Sequence, residues 1–228
     1  MIFWFIFLSV VGGSAPVWAL NDSHPPIPWR CEPSEWLAPA TLEDGIFVAN
    51  LSMNCVVDVS SDSVIEQMHL GIRSLLMKER ILHEGPKPVE VEGISGYSYD
   101  TTIKLKEGQD ELSIREDVIL ANQKNRIIYR TRSRDIQAPG LASYLSQVSF
   151  GADIRRKTQD PRLQIALTNR VEVKRPWYAL APIFFVIAKN TSISKFNEAR
   201  DQLMTKLIRF LSQTQPGNVS TGFQGTSG

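Results

Sequence analysis

At 228 residues, with 25 basic against 24 acidic side chains and a net charge of +1, the chain has material for one ordinary domain with a buried core and little for a second. That balance argues against a basic nucleic-acid-binding surface, so no nucleic-acid partner is expected, and it supports no broad anionic surface either.

The chain opens on "MIFWFIFLSVVGGSAPVWAL", an apolar core from Ile2 to Val11 followed by small residues, with Val17-Trp18-Ala19 fitting the small-x-small pattern of signal peptidase sites. Residues 1–19 therefore read as a signal peptide cleaved after Ala19, which makes the protein secreted or periplasmic. No Lys or Arg precedes the core, so the alternative is an uncleaved anchor, although the run is short of the roughly 20 apolar residues of a membrane span. Export would bring Cys31 and Cys55 into an oxidising compartment, where they are expected to form a disulfide. The competing reading leaves Cys55 as a small buried hydrophobe. Asn21, Asn50, Asn190 and Asn218 head Asn-x-Ser sequons, which would accept glycans in a eukaryotic secretory route.

Residues 20–45, rich in proline and carrying Trp29 and Trp36, read as an ordered arm packed on the domain, neither strand nor helix. From Phe47 the pattern alternates through Ala49, Leu51, Met53, Cys55, Val57 and Val59, a long strand with one buried face. "SSDS" ends it, and Ser63 with Glu66 forms a capping box. Val64, Met68, Ile72, Leu75 and Leu76 follow at helical spacing, with Gly71 expected to divide them into two short helices ending near Leu82. "HEGPKP" is a loop.

A run of strands follows, separated by the turn signals "EGQD", "ANQKN", "QAPG" and "TQDP". Tyr99, Thr101, Ile103 and Leu105 alternate in the first of them. In the last, Leu163, Ile165, Leu167, Val171 and Val173 share one face, and Gln164, Thr168, Arg170, Glu172 and Lys174 the other. Beyond Arg175 the period becomes helical. Proline is tolerated in a first helical turn, so a helix is expected to start at Pro176 or Pro182 and run to about Ser212. Its apolar stripe takes in Phe184, Ile187, Phe196, Ala199, Leu203, Leu207 and Phe210. Residues 213–228 are small, polar and Gly-rich, the composition of a disordered tail.

One strand, two short helices, several antiparallel strands and a long final helix define an α+β class in which a curved antiparallel sheet wraps around a long C-terminal helix. The ending "VEVKRPWYALAPIFFVIAKNTSISKFNEARDQL", with Phe196 ahead of Ala199-Arg200, resembles the last strand and helix of the coenzyme Q-binding and polyketide cyclase-like branch of the START-like, helix-grip superfamily. The resemblance covers about residues 45–212 and implies a START-like domain over 46–212. It does not extend to the proline-rich arm or to an exported chain.

A curved sheet folded around one helix does not always fill the space between them, and the cavity that results suits an apolar ligand. The expected partner is an apolar small molecule, lipid or isoprenoid-like. Its candidate walls are Met53, Ile103, Tyr129, Leu163, Ile165 and Leu167 on the strands, with Trp177, Leu180, Phe184 and Phe185 near the helix start. The alternative is that these residues pack on one another as an ordinary core. Arg130, Arg132 and Arg134 share one strand face and form a candidate site for an anionic head group. The competing reading is a solvated face balanced by Glu111 or Asp117.

Catalytic machinery is hard to find. His24, His69 and His83 are isolated, and no HExxH, GxSxG or CxxC occurs, so no metal, cofactor or catalytic set is expected. A cyclase- or hydrolase-type enzyme would need an inward carboxylate from among Glu116, Asp117 and Asp153, and strand parity lets only one of Glu116 and Asp117 face inward. Trp177 and Tyr178 beside Lys174 and Arg175 also suit a transient membrane contact. A third reading is a structural or interaction module with a filled core.

Overall fold

The computed structural model describes residues 28–59, 64–107, 110–137, 143–156 and 162–214. The leader through Ala19, Asn21, His24, the capping Ser63, Asn218 and the tail from residue 215 lie outside the described residues.

Twelve elements follow in order: β1 (Trp29–Cys31), β2 (Glu35–Glu43), β3 (Ile46–Asp58), α1 (Val64–Glu79), β4 (Ile81–Leu82), β5 (Lys87–Val91), β6 (Ile94–Glu107), β7 (Asp110–Gln123), β8 (Arg126–Gln137), β9 (Leu145–Arg156), β10 (Arg162–Lys174) and α2 (Ala181–Thr214). The ten strands form one antiparallel sheet in the order β1-β3-β10-β9-β8-β7-β6-β4, with β2 also on β3 and β5 also on β6. β10 pairs with β3 along its whole length, so β1 and β2 share the opposite edge of β3.

The arm was expected to be neither strand nor helix, and here the structure differs: residues 29–31 and 35–43 are strands. β2 tolerates proline because it lies at an edge, and its register slips on both sides of Ala38, next to Pro39. The Asp44-Gly45 turn gives it a way back into β3. Both residues have positive φ, 50° and 75°, the conformation of a two-residue hairpin turn matched to strand twist. In the same arm Cys31 faces Cys55 across the β1–β3 pair, and the two are bonded.

α1 is the second difference. A single 16-residue helix replaces the two short ones expected from Gly71. Gly71 is buried against α2, where an added Cβ would stand 2.9 Å from Phe210 Cζ. The glycine allows two helices to approach closely, and that packing outweighs its poor helix propensity.

Strand parity sets which side chains enter the core. Odd residues of β3, β8 and β10, with even residues of β7 and β9, point to the side covered by α1 and α2, and nearly all are buried. α2 begins at Ala181 with Pro182 in its first turn, and the Phe184 amide donates to the Leu180 carbonyl at 2.9 Å. Ahead of it, the Arg175 amide donates to Gly45 O at 2.7 Å, tying the end of β10 to the β2–β3 turn. α2 buries Phe184, Phe196, Ala199, Met204, Leu207 and Leu211, while Ile187, expected in the buried stripe, is 59% exposed. Among the described residues no helix is long and apolar enough to cross a membrane.

Candidate ligand-binding site

The buried apolar side chains fall into two large clusters. One holds Leu51, Met53, Tyr99, Val118, Leu120, Tyr129, Phe150, Leu167 and Phe196. The other holds Phe47, Ala49, Ile114, Leu145, Val148, Val171, Val173, Phe184 and Ala199. Where β7, β8 and β10 pass from one cluster to the other the inward positions are polar: Glu116 on β7, Thr131 and Ser133 on β8, and Asn169 on β10, with Thr101 on β6 beside Glu116. All five are buried. Register makes a belt of them, since Thr101 pairs with Glu116, Glu116 with Ser133, and Phe150 lies between Thr131 and Asn169.

Buried polar groups are costly unless partnered, and most of this belt is partnered. Arg80, directly after α1, donates from Nε and Nη2 to Glu116 Oε1 at 2.9 and 2.8 Å, and from Nη2 to the Tyr129 hydroxyl at 3.3 Å. Ser133 Oγ accepts from the Val148 amide at 2.8 Å. Asn169 Nδ2 donates to the Ser149 carbonyl at 3.2 Å, but its Oδ1 is buried and accepts no hydrogen bond from the described residues. Burial pushes the Glu116 carboxyl above its ordinary value, and the Arg80 guanidinium opposes that rise.

Between the first half of α2 and strands β9 and β10 lies an apolar pocket of about 120 Å³. Leu145, Val171, Val173, Phe184, Ile187 and Ala188 supply its apolar lining. Pro176 and Thr191 also line it, as do two buried polar side chains, Ser192 and Lys195. Ser192 Oγ donates back to Ala188 O at 2.8 Å, and Lys195 Nζ pairs with Glu198 at 2.6 Å. Asn169 is two residues from Val171 on the same face of β10.

The residues named from sequence are distributed unevenly around this pocket. Phe184 lines it. Phe185 packs on Phe47 in an edge-on contact with ring centroids 5.7 Å apart. Met53, Tyr129, Leu163, Ile165 and Leu167 are buried together in the larger cluster, and Ile103 is buried as well. Trp177 and Leu180, expected on the wall, are instead 88% and 68% exposed, because they precede the first turn that seats α2 on the sheet. Sequence reasoning did not single out Leu145, Ala188, Ser192 and Lys195. Phe184, Ala188, Ser192 and Lys195 do recur at helical spacing, but a stripe sought among apolar residues passes over the last two.

Arg130, Arg132 and Arg134 lie on the outer face of the sheet. Arg130 pairs with Glu92, and Arg134 with Asp117 at 2.5 Å and Asp100 at 3.6 Å. Arg132 has no ion-pair partner among the described residues, and with Arg130 and Arg170 it borders a shallow outer depression of about 680 Å³. Asp117 and Asp153 are also on this face, so Glu116 is the inward member of the Glu116-Asp117 pair. Burial pushes Asp153 up, but hydrogen bonds from Arg126 and Arg155 overcome it and bring the carboxyl down to about 2. His83 Nε2 lies 2.5 Å from Thr102 Oγ1, and His69 is half-buried, with burial and then the charge of Arg73 lowering its pKa. No cluster of three or more metal-ligating side chains occurs among the described residues.

A long C-terminal helix held against an antiparallel sheet, with a helix between the first long strand and the remaining run, defines the architecture. This is a helix-grip arrangement of the α+β class. No family model matches the sequence, and no curated protein matches it. Solved structures similar to this chain include the Zhui aromatase/cyclase from Streptomyces sp. R1128, at 13% identity over 73% of this chain and 94% of that one, with a TM-score of 0.39. Human STARD10 matches at 12% identity over 79% of this chain and 76% of that one, with a TM-score of 0.37. Truncated norcoclaurine synthase from Thalictrum flavum matches at 13% identity over 73% and 96%, also with a TM-score of 0.37.

Proposed function

We propose that this protein is an exported START-like domain that binds or carries an apolar small molecule, lipid or isoprenoid-like, between the sheet and α2. The observation that carries this reading is the apolar pocket under the first half of α2. Its volume of about 120 Å³ is close to that of an engineered apolar cavity, about 150 Å³, that takes up benzene. A single ring or a branched chain end fits such a space. The Cys31–Cys55 bond supports an oxidising compartment.

The test is mass spectrometry of the organic extract of purified protein, followed by titration with a fluorescent fatty acid. Ala188→Trp, which fills the pocket, is expected to weaken probe binding at least tenfold while the protein remains folded. A clean extract together with equal binding by Ala188→Trp would overturn the proposal.

Glu116 favours a second reading, an enzyme of cyclase or hydrolase type. It is an inward carboxylate whose raised pKa suits general acid or base work. Its ion pair with Arg80 gives it a structural role as well. If the enzyme reading holds, ligand incubated with the protein is recovered chemically altered, and Glu116→Gln binds it but returns it unchanged. Recovery of unaltered ligand from the wild-type protein would exclude this reading.

A further inference from the structure

Among the described residues, twelve large apolar side chains are exposed, and six of them fall between residues 177 and 187. They are Trp177, Tyr178, Leu180, Ile183, Val186 and Ile187, each more than half exposed. Ile183, Val186 and Ile187 have the spacing of one helix face, and Trp177, Tyr178 and Leu180 extend it through the turn that leads into α2. A concentration of this kind on one surface marks an interaction site.

Charge selects the partner. From Lys174 to Asn197 the sequence contains Lys174, Arg175, Lys189 and Lys195 and no Asp or Glu. Lys195 is buried against Glu198, which leaves the first three around the apolar face. Lys189 lies over the Trp36 ring, 5.6 Å from its centroid, and Arg175 Nη1 donates to the Ala179 carbonyl at 3.2 Å. Glu43 and Asp44, at the turn that meets Arg175, are the acids the fold brings toward this region. Tryptophan and tyrosine settle at the water–lipid boundary, aliphatic side chains enter the acyl region, and flanking cations meet anionic head groups.

We infer that the start of α2 and the turn before it dock onto an anionic lipid bilayer. Ile187 belongs both to this face and to the pocket lining, and Pro176, beside Trp177, lines the pocket too. Docking therefore brings the pocket mouth to the lipid surface. The inference goes beyond ligand binding, and its test requires no ligand.

A fluorophore sensitive to polarity, attached at Ile183→Cys in the full chain, reads this face locally and not the apolar run at residues 2–11. The two native cysteines are bonded to each other, so the added thiol is the one labelled. The control position is Tyr97→Cys, also more than half exposed and on β6, toward the opposite edge of the sheet from β3 and β10. On addition of phosphatidylcholine vesicles with about 30% phosphatidylserine, the label at 183 is expected to shift to shorter wavelength and brighten several-fold. The control stays unchanged, and the response falls in pure phosphatidylcholine and at about 0.5 M salt. Lys174→Glu is expected to weaken the response by about fivefold or more. The inference is overturned if the label at 183 stays in water, or if both labels respond alike. It is also overturned if the label is shielded before vesicles are added: a dimer in solution would then assign the face to a second copy, and a monomer to another segment of this chain.

Discussion

The two faces of the sheet carry the same chemical pair in different surroundings. On the outer face Arg134 meets Asp117 and Arg115 meets Asp100, with both guanidiniums about half exposed. One position away on β7, facing inward, Glu116 meets Arg80 with 2% and 4% of their side chains exposed. Outside, water reaches both partners of the Arg134–Asp117 pair when they separate, so that ion pair adds little. Inside, neither charge can be left alone, and the pair commits the surrounding core to one arrangement. On the outer face Arg115 holds the Asp100 carboxyl below its ordinary range, whereas burial holds Glu116 above it.

The strongest way to break this comparison is Glu116→Ala. Removing the carboxylate while Arg80 remains buried is expected to cost about 3 kcal/mol or more in urea unfolding. The double variant Arg80→Met/Glu116→Leu should recover most of that loss, because apolar replacements of similar volume are tolerated where a lone charge is not. A double variant as unstable as the single one would show that the belt acts as more than a paired charge.

pH separates the faces next. Asp153, at about 2 in the folded protein against an ordinary 3.8, contributes stability that is present above 3.8 and lost as pH falls toward 2. Asp153→Asn should therefore be less stable than wild type by about 1 kcal/mol near neutrality, with the two unfolding curves converging at the acid end. Glu116 has the opposite sign. Its folded value is raised above the ordinary 4.5, so its contribution falls as pH rises from there through the folded value. The difference between the wild-type and Glu116→Gln curves isolates this term, and a difference that grew in favour of wild type as pH rose above 4.5 would contradict that assignment.

The smallest effect belongs to the outer arginines. Arg132→Ala and Arg134→Ala should unfold within experimental error of wild type at about 0.15 M salt, since exposed and screened pairs add little. A clear loss of stability in either would mean that the outer network carries structural weight.

Much of the fold was legible along the chain. Alternation in β3 and β10 identified the inward residues correctly, because strand side chains alternate strictly and one face is buried. Parity likewise allowed only one of Glu116 and Asp117 to face inward, without saying which. Gly71 misled because its reason for being there, the Phe210 ring, is about 140 residues away along the chain. The arm misled because Pro39 argues against a strand in general but not against an edge strand, and edges are assigned only when the sheet is assembled.

What the sequence determined by itself is periodic: strands β3 and β6 to β10, the long final helix, the inward residues of β3 and β10 and the Cys31–Cys55 candidates. Each follows from local spacing or from residue chemistry. Tertiary structure decided what meets what. It placed Trp177 and Leu180 in solvent, joined Ser192 and Lys195 to an apolar pocket, and set Arg80 from the end of α1 against Glu116. Those outcomes depend on where α1 and α2 rest on a twisted sheet, and side-chain direction along a strand carries no information about the element that covers it.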